Sequence, residues 1–240
     1  GGYFTILMAA LIMGVMVSWY NGSRVERRQY TMLPVRKYLD QLDRLRNDHH
    51  YETLCDNLVY LTNGTSTDML DRDILYSIFD KHPKRARAYW FLNVEVTEDP
   101  HTFEYSVENY GTDFVFRVHL YLGYKVNQRV NAYLRQIVSD MSASGELPPQ
   151  VHDYSVYDKP GSIGSFRFCL IRKTLAPESD VEQRERHAIA MKYAIRRVAG
   201  SPVRWFGLEN SNVFYEYVPL FTKFKPVDRM ERISVEERRA

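Results

Sequence analysis

The chain opens with a run that carries no charge before Arg24, and from Tyr3 to Tyr20 only Thr5 and Ser18 are clearly polar. As a helix this run is about 27 Å long, which with its flanks crosses a hydrocarbon core of about 30 Å. Trp19 and Tyr20 stand where an interfacial aromatic belt belongs. A buried core helix would show a polar stripe. A cleaved leader would need a basic start, a shorter apolar region and a small-residue cleavage site, and the run has none of these. A membrane span is expected over residues 1–23.

Beyond it the pattern changes from continuous to periodic. Leu39, Leu42 and Leu45 recur among Arg, Lys and Asp, which predicts a charged linker helix within Val25–Asn47, with Pro34 near a break. "NLVYLT" (57–62) is a short apolar run bounded by polar residues and predicts a buried strand. The polar loop "TNGTST" follows, and Asp68 is a suitable N-cap for a helix that places Leu70, Ile74 and Ile78 on one face. Pro83 ends that helix, and "AYWFLNVEV" (88–96) predicts a central strand. "TFEYSVENY" and "DFVFRVHLYLGY" alternate apolar and polar positions around Gly111, which predicts an antiparallel hairpin with one wet face.

Val130, Leu134, Ile137, Val138 and Met141 have helical spacing, closed by Gly145 and Pro148-Pro149. "SFRFCLIRKTL" (165–175) predicts a strand. A helix from about Asp180 would turn Ala188, Met191, Ile195 and Val198 inward, with Glu182 and Arg186 as an exposed pair. "NVFYEYVPLF" predicts the last strand. The order β-α-β-β-β-α-β-α-β gives an α/β class: one N-terminal transmembrane helix, then a mixed β-sheet domain with packed helices. The expected domains are the span (1–23), a charged linker helix region (24–56), the α/β domain (57–222) and a charged tail (223–240).

Charge then sets the orientation. Arg24, Arg27, Arg28, Arg36 and Lys37 crowd the C-terminal flank of the span, and Lys/Arg-rich flanks stay in the cytoplasm. Everything after about residue 23 is therefore expected to be cytosolic, and the sequons at Asn21 and Asn63 are chance matches. Two cysteines, Cys55 and Cys169, fit a reducing compartment without a disulfide framework. A net charge of +2 gives no basis for a nucleic-acid partner. A start at Gly1, at the threshold of a span, suggests the tail of a longer protein.

Candidate chemistry is sparse. No nucleophile elbow, H-E-x-x-H, Walker loop or C-x-x-C is present. His49-His50 lies in a polar connector without a second ligand pair at metal spacing, so no metal site is expected. His119 alternates with Val118 and Leu120 and is expected to face solvent; Cys169 reads as an inert core thiol. Two stretches could take an anion. One is the "TNGTST" loop, with Thr62, Asn63, Gly64 and Thr65 placed between a strand and a helix start. The other is "KHPKRAR", with Lys84 and Arg85, which could meet an anion or lipid headgroups. Each also reads as an ordinary polar turn or a solvated helix end.

Several stretches together resemble a known family. "GGYF" opening a span that ends in "SWYNG" resembles the close of the membrane part of the KUP/HAK/KT potassium uptake permeases. "NLVYLT", "LYSIFDKHPKRARAYWFLNVEVTEDPHTFEY", "LGYKVNQRVNAYLRQIV" and "FGLENSNVFYEYVPL" resemble, in order, the cytosolic region that follows in bacterial members. Tyr3 stands where Trp is usual, Ser18 where Thr is usual, and Trp205 where Ala is common.

The resemblance implies the last span and the cytosolic domain of a multi-pass cell-membrane transporter that takes up potassium, coupled to protons as a symporter. Its ion-coordinating carboxylates lie in an upstream bundle of helices, so none falls on this chain. The implied partners are the lipid bilayer, that upstream bundle and a second copy in a homodimer. No cofactor is implied beyond potassium as the transported substrate. Cyclic di-AMP closes some related transporters through their cytosolic domains, which makes it a candidate regulator here, with Thr62–Thr65, Lys84 and Arg85 as candidate contacts. The competing reading is a membrane-anchored α/β binding domain or enzyme unrelated to ion transport.

Overall fold

The computed structural model describes residues 2–28, 30–64, 66–150, 163–175, 182–198 and 200–220. It begins with α1 (Gly2–Arg28), β1 (Met32–Pro34), a 3-10 turn (Val35–Tyr38) and α2 (Leu39–Asn47). Then follow β2 (Thr53–Leu61), β3 (Met69–Asp71), α3 (Arg72–Tyr76) continuing into a π turn (Ser77–Lys81), and β4 (Arg85–Thr97). The remaining elements are β5 (Phe103–Glu108), β6 (Val115–Gly123), α4 (Val130–Ser144), β7 (Phe166–Thr174), α5 (Gln183–Val198), α6 (Pro202–Trp205) and β8 (Val213–Pro219). Thr65, Asp180 and the tail 223–240 lie outside the described residues.

Six strands form one mixed sheet in the order β5-β6-β4-β2-β7-β8. β4 and β7 run parallel to β2, β6 runs parallel to β4, and β5 closes the edge antiparallel to β6. Because side chains alternate along a strand, neighbouring residues serve two different cores. Tyr60, Tyr89, Phe91 and Val115 point to one face, where Leu42, Leu45, Leu70, Ile74 and Ile78 cover them. Val59, Trp90, Phe116 and Val118 point to the other, covered by Val130, Leu134, Ile137, Val138 and Met141 of α4. There the Trp90 and Phe116 rings stack at 4.4 Å. Gly145, at φ 81°, ends α4 in the left-handed conformation, donating its N–H to the Met141 and Ser142 carbonyls.

Four expectations need correction. The helix expected from Asp68 does not start there. Met69–Asp71 are taken into a two-stranded antiparallel ribbon with β1, and Asp71 is the cap, its side chain accepting from the Asp73 N–H at 3.1 Å. Leu70, Ile74 and Ile78 are nevertheless all buried. The linker is not one helix, since Pro34 and β1 interrupt it, but Leu42 and Leu45 do seat α2 on the core. The hairpin is real, yet β6 has no wet face: its second neighbour is β4, and both faces are covered, which also buries His119. On α5 the buried described residues are Ile189 and Lys192, whereas Met191 is exposed.

The described residues divide into two compact units, one drawn from 30–174 with 193–218, the other from 2–28, 175, 182–192 and 219–220. The second holds α1 and the first part of α5. These two helices meet at Gly22, where a Cβ would come within 2.9 Å of the Ala188 carbonyl and 3.0 Å of Lys192 Cβ. Glu26 pairs with Lys192, and Arg28 with Glu185 at 3.2 Å. The Lys192 ammonium lies 5.3 Å over the Trp19 ring. The apolar stretch of α1 is long enough to cross a membrane, and none of it is buried.

Candidate functional site

The amino ends of β2 and β4 lie side by side, with Thr53 opposite Arg85 and a register shift just after. The last turn of α2 brings Arg46 to the same place. Arg46, His49, Thr53, Arg85, Ala86 and Arg87 line a cavity of about 290 Å³. Arg46 pairs with Asp43 at 3.1 Å and Asp113 at 3.4 Å, and its guanidinium lies 4.3 Å from the Phe114 ring centre. Arg87 pairs with Asp56 at 3.2 Å. Arg85 is placed differently. Its guanidinium donates to the Arg46 carbonyl at 2.9 Å and the Tyr51 carbonyl at 3.1 Å, and it meets His49 Nδ1 at 3.0 Å. All three partners are neutral groups when His49 is unprotonated. Arg46 Nε is buried with no acceptor among the described residues. The cavity therefore offers a small anion the Arg85 guanidinium, which has no carboxylate partner among the described residues.

Lys84, next in sequence, points elsewhere. It is buried, pairs with Glu216 of β8 at 2.8 Å and donates to the Ser77 carbonyl at 2.5 Å. Lys81 reaches the other Glu216 oxygen at 2.9 Å. Burial alone would raise the Glu216 carboxyl, but hydrogen bonds and charge from Lys84 and Lys81 hold it below the ordinary value.

The "TNGTST" loop is at the opposite, carboxyl end of β2, about 25 Å away at roughly 3.3 Å per residue. Thr62 is buried, and its hydroxyl has no partner among the described residues; Asn63 is exposed. The fully buried Arg117 of β6 holds this loop, donating to the Gly64 carbonyl at 2.6 Å and the Met69 carbonyl at 2.8 Å. Its Nε donates to His119 Nε2 at 3.3 Å, and the Tyr110 hydroxyl donates to the Thr67 carbonyl. Burial, and then the Arg117 charge, lower the His119 pKa, which keeps the ring neutral and able to accept. Gly64 is thus held by Arg117, and Thr62, Asn63 and Gly64 follow the end of β2 opposite the one that meets Arg85. Alternation in β6 gave no hint of Arg117 and His119, since a strand read as half wet hides its inward polar groups. Arg46, His49 and Arg87 join Arg85 only through the fold.

Both thiols are closed to chemistry: burial pushes Cys55 and Cys169 up to about 12.

A family model described as "K+ potassium transporter C-terminal domain" matches residues 56–217. The chain belongs to this family. Its membership of the KUP/HAK/KT group is supported along nearly the whole length. The chain is 45% identical over 234 residues, 98% of its length, to "Probable potassium transport system protein Kup 1" of Bifidobacterium longum (strain NCC 2705). It is 46% identical over 232 residues to Kup 2 of the same organism and 43% identical over 237 residues to the Kup protein of Streptococcus agalactiae serotype III (strain NEM316). It spans 39%, 32% and 35% of the lengths of these three relatives. No solved structure matches the chain.

Proposed function

We propose that this chain is the C-terminal part of a potassium uptake transporter, with α1 as its last membrane span and the sheet domain on the cytosolic side. Support comes chiefly from the in-order identity, across 97–98% of the chain, with relatives named as potassium transport proteins. The exposed apolar surface of α1 and the arginines after it suit a span whose C-terminal end faces the cytosol. Ion coordination and proton coupling belong to an upstream bundle. The sheet domain regulates that bundle or pairs it with a second copy, and the Arg46/Arg85 cavity is where an anionic ligand such as a nucleotide phosphate enters.

Sidedness is testable with a cysteine placed at the exposed Tyr124 in the longer protein, read as the labelling gained over the protein without that substitution; the two thiols of this chain are buried. Membrane-impermeant maleimide should label Tyr124→Cys only after permeabilisation; labelling in intact cells refutes the cytosolic placement. Calorimetry with cyclic di-AMP, ATP and AMP tests the sensor role, and Arg85→Ala should abolish any heat. An absence of heat and thermal shift with all three removes that role. Light scattering tests the dimer.

A further inference from the structure

On α1, at about 100° per residue, Tyr20, Arg24, Arg27 and Arg28 fall within one arc of roughly 100°. Trp19, Gly22 and Glu26 lie on the side that meets α5, as the contacts of Gly22 with Ala188, Glu26 with Lys192 and Trp19 with Lys192 show. Arg24 and Arg27 therefore lie on the side that α5 leaves open, while Arg28, at the edge of the arc, reaches Glu185 of α5. Tyr20 and the three arginines line a hollow of about 330 Å³. Arg28 is partly neutralised by Glu185. Arg24 and Arg27 are exposed and pair with no carboxylate among the described residues.

We propose that this hollow is a binding site for the phosphodiester headgroup of an anionic phospholipid. The depth fits: at about 1.5 Å per residue, Arg24 stands roughly 6 Å and Arg27 roughly 10 Å beyond Tyr20. A hydrocarbon core of about 30 Å within a full bilayer of about 40–45 Å leaves a headgroup layer of about 5–7.5 Å on each side, so Arg24 stands inside it and Arg27 about 3 Å beyond its outer edge. Arginine's flexible stem lets its charged head reach back toward the phosphate, and its planar fork matches phosphate oxygens. Tyr20 supplies an amphipathic ring at the same level. Complementing the helix dipole explains basic residues in this turn, but not why two of them share an open hollow opposite the docked helix. The site rests on the reading of α1 as a membrane span.

The test reconstitutes the full chain in nanodiscs of phosphatidylcholine alone or mixed with phosphatidylglycerol. Lipid retained after transfer to detergent is then counted by native mass spectrometry. Phosphatidylglycerol should be retained over phosphatidylcholine, and Arg24→Gln/Arg27→Gln should lower that preference at least about tenfold, at roughly fivefold per cation. Arg129→Gln, in the sheet domain, should leave it unchanged. Equal retention of the two lipids, or a preference that survives the double substitution, overturns the site. Displacement of the lipid by soluble glycerophosphate at equal concentration assigns the hollow to free phosphate esters and also overturns it. Recovery of the chain outside the nanodiscs refutes the membrane span itself, a result distinct from the others.

Discussion

Replacing Asn57 by leucine tests how the sheet is locked. Asn57 is fully buried on β2 and makes four short contacts. Its amide nitrogen donates to Gln150 Oε1 at 2.5 Å and to the Ile163 carbonyl at 2.9 Å. Its amide oxygen accepts from Trp90 Nε1 at 2.9 Å and from Gln150 Nε2 at 2.9 Å. Leucine keeps the volume and removes every one of these bonds. Trp90 is fully buried, so its indole N–H is left without a partner at about 1–3 kcal/mol. The stranded Gln150 amide and Ile163 carbonyl add a similar amount, and the added apolar surface offsets about 1 kcal/mol. The expected net loss is about 3 kcal/mol. At roughly 2–4 °C per kcal/mol for a domain of this size, Tm should fall by about 6–12 °C. Thermal unfolding followed by near-ultraviolet circular dichroism reads this directly. The Gln150→Leu variant and the double variant complete a cycle, whose coupling should be about 1–2 kcal/mol. A Tm drop below about 2 °C, or additive effects, would refute the view that this amide ties β2, β4 and the chain at 150 and 163 together.

Gly207 has φ 63°, and a Cβ there would lie 2.0 Å from the Gln128 carbonyl, so Gly207→Ala should cost at least about 2 kcal/mol in denaturant unfolding. Glu216 has a folded pKa below its usual 4.5, so its pairing stabilises above that pH and is lost as pH falls through the lower folded value. Glu216→Gln should therefore flatten the acid limb of the stability profile; an unchanged limb would contradict this. His119 has a folded pKa below 6.5, so stability should decline as pH falls from 6.5 toward that value. His119→Phe should remove this part of the decline. Cys55 and Cys169 should react with maleimide only at the rate of unfolding, measured by mass spectrometry in increasing urea.

Continuous apolar runs were readable because a strand covered on both faces needs no alternation to be recognised. "NLVYLT" and "AYWFLNVEV" proved to be adjacent central strands, and the five apolar positions of α4 all entered the core. The failures share a cause. Whether β6 is wet, whether Asp68 or Asp71 caps, and which side of α5 turns inward depend on partners far along the chain: β4, β1 and α1 respectively. The candidate anion residues divided for the same reason. Lys84 and Arg85 are neighbours in sequence, but Lys84 stands in the connection before β4 and reaches Glu216, whereas Arg85 opens β4 and lies at the cavity beside Arg46.

Ion flux is the most direct check on the proposed function. The longer protein carrying this chain, purified and reconstituted into potassium-loaded or potassium-free liposomes, can be assayed for rubidium uptake. Uptake competed by potassium and accelerated by an inward proton gradient is expected. Correctly inserted, folded protein that moves neither ion would contradict a role in potassium transport.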